Sequence, residues 1–567
     1  VRWLLILYGI SAAILYSSLM PLWEGFDEPF HYGYVQELSA GRGFPVQGKT
    51  PLSGEIWQSV LLAPASDSVK LNIPAVLTFR AYLRLPDAER KALRSRLRDI
   101  PGDMPAGAMN YEAQQAPLAY MVLAPADWLL RRVALPDRIL ALRIVCGTLA
   151  VVASTLALFS LANRLSLPPI SQSSLVFVVL SSQMFYATTC HVANDWLALP
   201  LMILVLDRVV TLDAAPSLWN ALAAVLAFSA GLLTKGYFLA LTPLILAVAI
   251  RRLSTRHIFL SLLAIVLTAG PWYLRNLVLY RDLSGMQQTV GGARLGSLIA
   301  AGKHIHWRAA TESLIFQTLW TGNNSFRAFS AHTLALLLAG LTAAAALATL
   351  GWFRQSFPRA ERVVSAGCGL YFAAIAYDLV VVYFASRGEA RTSSPWYLEA
   401  IAPVLLCLLF RGMARYPRSA RAVSIWLTCL SAYVMLVTWW GKLIPLYAGY
   451  DDRATPLKLY AWYQGEFSAI EAALASTALG DPRFVLILAA ATSAATALLA
   501  ALLILRRNRV PDRFGPNSVT EVHPLHGAAH RPGGTETQAP LPGCPAHETQ
   551  RNRPRPSASL SVFPPPP

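Results

Sequence analysis

The stretch WLLILYGISAAILYSSLMPLWEGFDEPFHY, residues 3–32, decides how the chain is read. Its first part, 3–22, carries no charge and supplies roughly 20 apolar or small residues, enough for one helix to cross a bilayer. The ionisable groups Glu24, Asp27, Glu28 and His31 follow at once. A span that opens directly into such a cluster leaves it at the membrane surface. Partial loss of water there raises carboxyl pKa values and equips one group to act as a base. Val1-Arg2 and the apolar run have the outline of a signal peptide, but no small-residue cleavage site follows, so 3–22 reads as a signal anchor.

The rest of the chain agrees with a membrane setting. Its 567 residues are 55% hydrophobic and 14% charged, with a mean hydropathy of +0.44, too apolar for the surface of a soluble protein. The net charge of +17 fits the Lys and Arg that multispanning proteins collect in cytoplasmic loops, and calls for no nucleic-acid partner. The cysteines are scattered, with no CxxC pair, and read as packing residues.

Stretches apolar enough to span lie near 3–22, 138–163, 171–190, 195–212, 217–234, 236–251, 257–274, 331–353, 362–384, 396–414, 422–444 and 483–505. This predicts an all-α polytopic membrane protein with about twelve crossings. The basic clusters Arg251-Arg252-Arg256, Arg354-Arg359-Arg362, Arg411-Arg415-Arg418-Arg421 and Arg506-Arg507-Arg509 alternate correctly if they face the cytoplasm and both termini lie inside. The segment 117–133, interrupted by Pro125, Asp127 and Arg131-Arg132, is then a juxtamembrane helix on the outer face. Outer loops at 23–137, 275–330 and 445–482 remain to build a site. Residues 86–98 read as a basic amphipathic helix. The Pro-rich tail, 506–567, is expected to be disordered in the cytoplasm.

Five segments carry a family resemblance. FDEPFHYGYVQELSAGRGFPV (26–46), YEAQQAPLAYMVLAP (111–125), HVANDWLAL (191–199), LLTKGYFLAL (232–241) and GPWYLRNLVLY (270–280) stand in the order of elements in glycosyltransferases of the GT-C fold that use polyprenyl-phosphate sugars. They resemble above all the bacterial relatives of protein O-mannosyltransferases, glycosyltransferase family 39. Only the ordered set is specific. The resemblance covers roughly 1–445 and implies a GT-C-like bundle with a large first outer loop carrying juxtamembrane helices. It leaves 446–505 as an outer loop and last crossing.

The resemblance gives Asp27 the role of general base, with Glu28 and His31 as neighbours that orient substrates or tune it. Substrate-binding roles fall by the same route on Gln115, Asn194, Asp195, Lys235, Tyr273, Arg275 and Asn276, and on Arg391 near the start of a later helix. Each has a plainer reading. Asn194 and Asp195 suit a helix start as cap and dipole partner, Lys235 can snorkel, and Arg275 can anchor an aromatic belt. Asp27, Asp195 and water form a conceivable Mg²⁺ or Mn²⁺ site. No second acid accompanies Asn194-Asp195, and no required metal is expected.

The expected function is transfer of a sugar from a polyprenyl-phosphate donor to a protein, lipid or glycan acceptor on the extracytoplasmic face of the cell (inner) membrane. The alternatives are a lipid-linked glycan polymerase or ligase, which would rely on Arg and His in late loops, and a transporter or flippase. A transporter would keep ionisable groups near the bilayer midplane. Here most of them lie at helix ends.

Overall fold

Every apolar stretch forms helix, but several of the helices are shorter than a crossing needs. The computed structural model describes residues 1–101, 107–283, 295–319, 323–325, 327–354, 357–389, 392–450 and 456–509. Among them seven helices are long and apolar enough to cross a membrane: Arg2–Leu19, Leu135–Arg164, Ala331–Arg354, Arg359–Ala385, Pro395–Met413, Pro417–Tyr447 and Pro482–Arg507. The number rises to nine if two bent pairs are each one broken span. These are Pro169–Leu180 with Gln183–Thr189, bent by 62°, and Thr255–Thr268 with Gly270–Tyr280, bent by 52°. By length and composition the described residues therefore do not confirm about twelve crossings.

The shortfall has a local cause. The stretch 195–212 becomes Asp195–Ala214, long enough at 20 residues but carrying Asp195, Asp207, Arg208 and Asp213. The stretch 217–234 yields Leu218–Leu232, 15 residues. That is about 22 Å of helix against a hydrocarbon core of about 30 Å. The stretch 236–251 divides into a 3₁₀ turn, Gly236–Leu241, and the short helix Thr242–Arg252. Between the last two sits Lys235, whose extended backbone (φ −155°, ψ 138°) ends one helix before the next turn begins. The break coincides with the ion pair Lys235 makes with Asp195.

The basic clusters meet at one end of the bundle. Buried Asp213 pairs with both Arg252 and Arg359. Glu361, 1% exposed, pairs with Arg411 and Arg415. Arg507 donates to the Ala420 carbonyl at 3.3 Å. Asp195 opens the helix that Asp213 nearly closes, so the two lie roughly 27 Å apart along its axis at 1.5 Å per residue. The acidic loop and the basic end are thus at opposite ends of the same bundle.

The first loop is itself helical, with Glu28–Ser39, Gly54–Leu62, Asp87–Arg98 and Leu118–Leu129 among its elements. Leu118–Leu129 is the short helix expected within 117–133. It packs on Glu28–Ser39, where buried Asp127 accepts from Tyr32 Oη at 2.9 Å and Ser39 Oγ at 2.5 Å. A second apolar core, including Tyr32, Tyr34, Ile56, Tyr120 and Trp196, fills the space beneath this loop. The later loops also hold helices, at Leu295–His304, Trp307–Thr318, Pro456–Gly465 and Phe467–Thr477. The tail from 510 onward and Arg391 lie outside the described residues.

Candidate active site

The acidic loop is shaped by two backbone choices. At Gly25 a Cβ would stand 2.6 Å from His191 Cβ, so glycine is what lets the loop lie against the 190–194 turn. Asp27 adopts a left-handed conformation (φ 53°, ψ 16°), which aspartate tolerates better than most residues. Its carbonyl accepts from the Phe30 and His31 amides at 3.0 and 3.1 Å, starting the Glu28–Ser39 helix. Its carboxylate does not cap that helix. It accepts from the Tyr111 hydroxyl instead and has no other side-chain hydrogen bond among the described residues.

Glu28, one residue on, is placed quite differently. It is fully buried, paired with the equally buried Arg143 through Nε at 2.7 Å and through Nη2, and its Oε1 also accepts from the Val192 amide at 3.0 Å. Arg143 spends its other donors on the Met20 and Pro21 carbonyls, both at 3.0 Å. Burial pushes the Glu28 carboxyl up, but Arg143 outweighs it and holds the group below the usual carboxylate range. The pair fastens the end of the first helix to Leu135–Arg164. His31, also buried, hydrogen-bonds through Nδ1 to Tyr120 Oη at 2.7 Å. Burial, and then the positive charges of Lys235 and His191, hold it well below the ordinary imidazole value, so it is neutral.

Opposite Asp27 a second set of groups converges. Glu112 is 8% exposed with one oxygen lacking a partner among the described residues. Burial and then the Asp27 charge push its carboxyl up to about 7, against the opposing pull of Gln115 and Lys235. Gln115 accepts from Asn194 Nδ2 at 3.1 Å, and the same amide reaches the Thr234 carbonyl at 3.3 Å. Asn194 therefore ties two loops together and leaves the helix start uncapped by its side chain. Asp195 pairs with Lys235, whose ammonium lies 5.5 Å from the Tyr397 ring centre and 5.9 Å from that of Tyr237. A cation held between a carboxylate and aromatic faces is a group that an anion can bind.

The residues of 270–280 are used otherwise. Tyr273 donates to the Leu232 carbonyl at 3.2 Å. Arg275 donates to the Pro45 carbonyl at 2.7 Å and stacks 4.6 Å from the Trp272 ring centre. Asn276 is buried with its amide nitrogen unpartnered among the described residues. No hydrogen bond or ion pair among the described residues joins Arg275 to Asp27, Glu112, Asp195 or Lys235.

The structure thus brings Asp27, Gln115, Asn194, Asp195 and Lys235 together, sets Glu28 and His31 into the supporting wall, and places Arg275 against the 44–45 turn, with Tyr273 on the Leu232 carbonyl and Asn276 buried beside Arg275. Reading the sequence missed Arg143, Tyr111, Glu112 and His191. An arginine inside a predicted crossing, close to an acidic loop, was a usable signal for the first. His191 is 2% exposed and neither ring nitrogen has a partner among the described residues. Among the described residues no three His, Cys, Asp or Glu side chains are placed to hold a metal together, and Asp195 already has an ammonium for a partner.

No protein-family model matches the sequence, and no curated protein matches it. Two crystal structures of ArnT from Cupriavidus metallidurans are similar in structure. The form bound to undecaprenyl phosphate gives a TM-score of 0.45 at 16% identity, covering 89% of this chain and 75% of that one. The apo form gives 0.38 at 17% identity, covering 76% and 72%. At these values neither likeness assigns an activity to this chain.

Proposed function

We propose that the chain is a membrane glycosyltransferase that moves a sugar from a polyprenyl-phosphate donor to an acceptor hydroxyl or amine, at the end of the bundle remote from its basic clusters. That end is extracytoplasmic if the positive-inside rule holds here. What supports the reading is one juxtaposition. Asp27 has a carboxylate oxygen to spare, Lys235 stands paired with Asp195, and buried Glu112 feels the charges of all three. Transfer from a lipid phosphate needs a base for the acceptor and a cation for the leaving group.

The acceptor oxygen or nitrogen forms its bond to the anomeric carbon from the face opposite the phosphate, and Asp27 takes the proton released. The bond from the anomeric carbon to the phosphate oxygen breaks, and the electron pair leaves with the lipid phosphate. Lys235 holds that phosphate, and neutral Glu112 donates a hydrogen bond to it. Inversion at the anomeric carbon follows. Tyr111 fixes the Asp27 rotamer, Asn194, held by Gln115, bonds the Thr234 carbonyl next to Lys235, and the Glu28–Arg143 pair keeps the loop on the bundle. No step requires a metal. Incubating the purified protein with radiolabelled polyprenyl-phosphate sugars tests the reading: label should be transferred or released by the native protein and not by Asp27→Asn. Near-native turnover in that variant overturns it.

A further inference from the structure

A cavity of about 450 Å³ lies between the helices Pro169–Leu180, Ala331–Arg354, Pro395–Met413 and Pro417–Leu436. Its size falls within the roughly 300 to 1,000 Å³ of ordinary ligand pockets. Hydrocarbon dominates the walls, with Val179, Leu341, Leu398, Leu406, Leu409 and Val434 among the lining residues. Two groups break the pattern. Glu399 is 5% exposed and makes no hydrogen bond or ion pair with any described residue. Gln183 is 3% exposed, and both its amide oxygen and its amide nitrogen lack partners among the described residues. A buried carboxyl and a buried amide left unmatched in one apolar chamber are costly unless something in the chamber satisfies them.

This chamber is separate from the Asp27 site. Tyr397 faces Lys235 from the helix Pro395–Met413. Glu399, two residues on, points roughly 200° around that helix, toward the other side.

The chemistry of the lining narrows the occupant. Among the described residues no Lys, Arg or His lines the cavity, so a phosphate or carboxylate head would face Glu399 without a counter-charge. An ammonium donates but does not accept, and would leave the Gln183 nitrogen unmatched. A hydroxyl does both: it donates to Glu399 or to the Gln183 oxygen and accepts from the Gln183 nitrogen. We propose that the cavity binds an uncharged long-chain alcohol, its hydroxyl held between Glu399 and Gln183 and its chain lying along Leu341, Leu406 and Val434. This does not rest on the transfer reading.

Photolabelling of the full-length protein in nanodiscs tests it. The probe is a 16-carbon alcohol bearing a mid-chain diazirine, compared with its methyl ether and with the corresponding carboxylate. The alcohol should place adducts on 331–354 or 395–413, be displaced by unlabelled hexadecanol, and label at least fivefold more than either analogue, since about 1 kcal/mol per hydrogen bond is at stake. Gln183→Leu should reduce labelling by about five- to tenfold on the same basis, and Ala402→Phe, which fills the chamber, should abolish it. Equal labelling by alcohol and ether in the native protein, or adducts confined to other helices, means that the cavity holds water or bulk lipid only and overturns the proposal. That comparison needs no variant to fold.

Discussion

Glu112 should make donor binding depend on pH in a range where few carboxyls titrate. Burial and the neighbouring Asp27 raise its pKa from 4.5 to about 7. By the conversion of 1.36 kcal/mol per unit, that is about 3 kcal/mol between its two protonation states. The neutral form can donate to a phosphate oxygen, whereas the ionised form repels it. If only the neutral form binds donor, the apparent Kd is about twofold above its low-pH limit at pH 7 and about elevenfold above it at pH 8. The ligand should be a non-transferable polyprenyl phosphodiester, which keeps a single charge across this range. Calorimetric titration into detergent-solubilised protein then reads Glu112 rather than the lipid. Glu112→Gln keeps the shape without the titration, and should bind tightly and evenly from pH 6 to 8. The same shift has a sign for stability. A raised folded-state pKa stabilises the fold fully below about 4.5, and this is lost as pH rises through about 7. The Gln variant should therefore melt higher than the native protein at pH 8, and the margin should shrink toward pH 5. A flat native profile, or the same slope in Glu112→Gln, refutes the placement of this carboxyl beside the donor phosphate.

Other outcomes follow from the same geometry. Asp27→Asn should lower transfer by about 10²- to 10⁴-fold, the usual worth of a general base, with donor affinity retained in the calorimetric assay. Lys235→Met should weaken donor binding by roughly ten- to a hundredfold, the worth of one charge-assisted hydrogen bond, while Arg275→Ala should change it less than about threefold. Equal losses in both would return Arg275 to the phosphate. Arg143→Met strands a buried carboxylate and should cost about 3–5 kcal/mol in thermal or denaturant unfolding, with part recovered when Glu28→Gln is added. Glu28 should also lend the native protein stability that is fully present above its ordinary carboxyl pKa and lost as pH falls through its depressed folded value. Acid unfolding should shift less in Glu28→Gln than in the native chain.

Hydropathy and charge located every helix in the bundle, because a bilayer imposes long apolar runs and the basic residues sort to their ends. Counting crossings was less secure. Whether Leu218–Leu232 and Thr242–Arg252 are one element or two depends on Lys235 leaving the helix to meet Asp195, a contact 40 residues distant in the chain. Within FDEPFHY, the resemblance divided labour between Asp27 and Glu28, but the residues themselves gave no physical reason for the division. The different surroundings of the two carboxylates come from Arg143, 115 residues away, which engages Glu28, and from a left-handed turn at Asp27 that a residue list does not reveal. Glu112 was invisible for a similar reason. Its character comes from burial beside Asp27, and one acid in a short polar loop carries no such signal.

The Asp195–Lys235 pair bears on how any anion enters this site. The ammonium already has a carboxylate for company, so an incoming phosphate does not find a bare positive charge. On the proposed reading it would take part in an exchange, gaining Lys235 while Asp195 surrenders it, and only the difference between the two partnerships would appear as affinity. Chloride or acetate, with no lipid chain to add binding, should lose that contest. A phosphate would win it when its lipid chain and sugar contribute binding of their own, so under that reading the exchange itself would work as a filter for the whole donor.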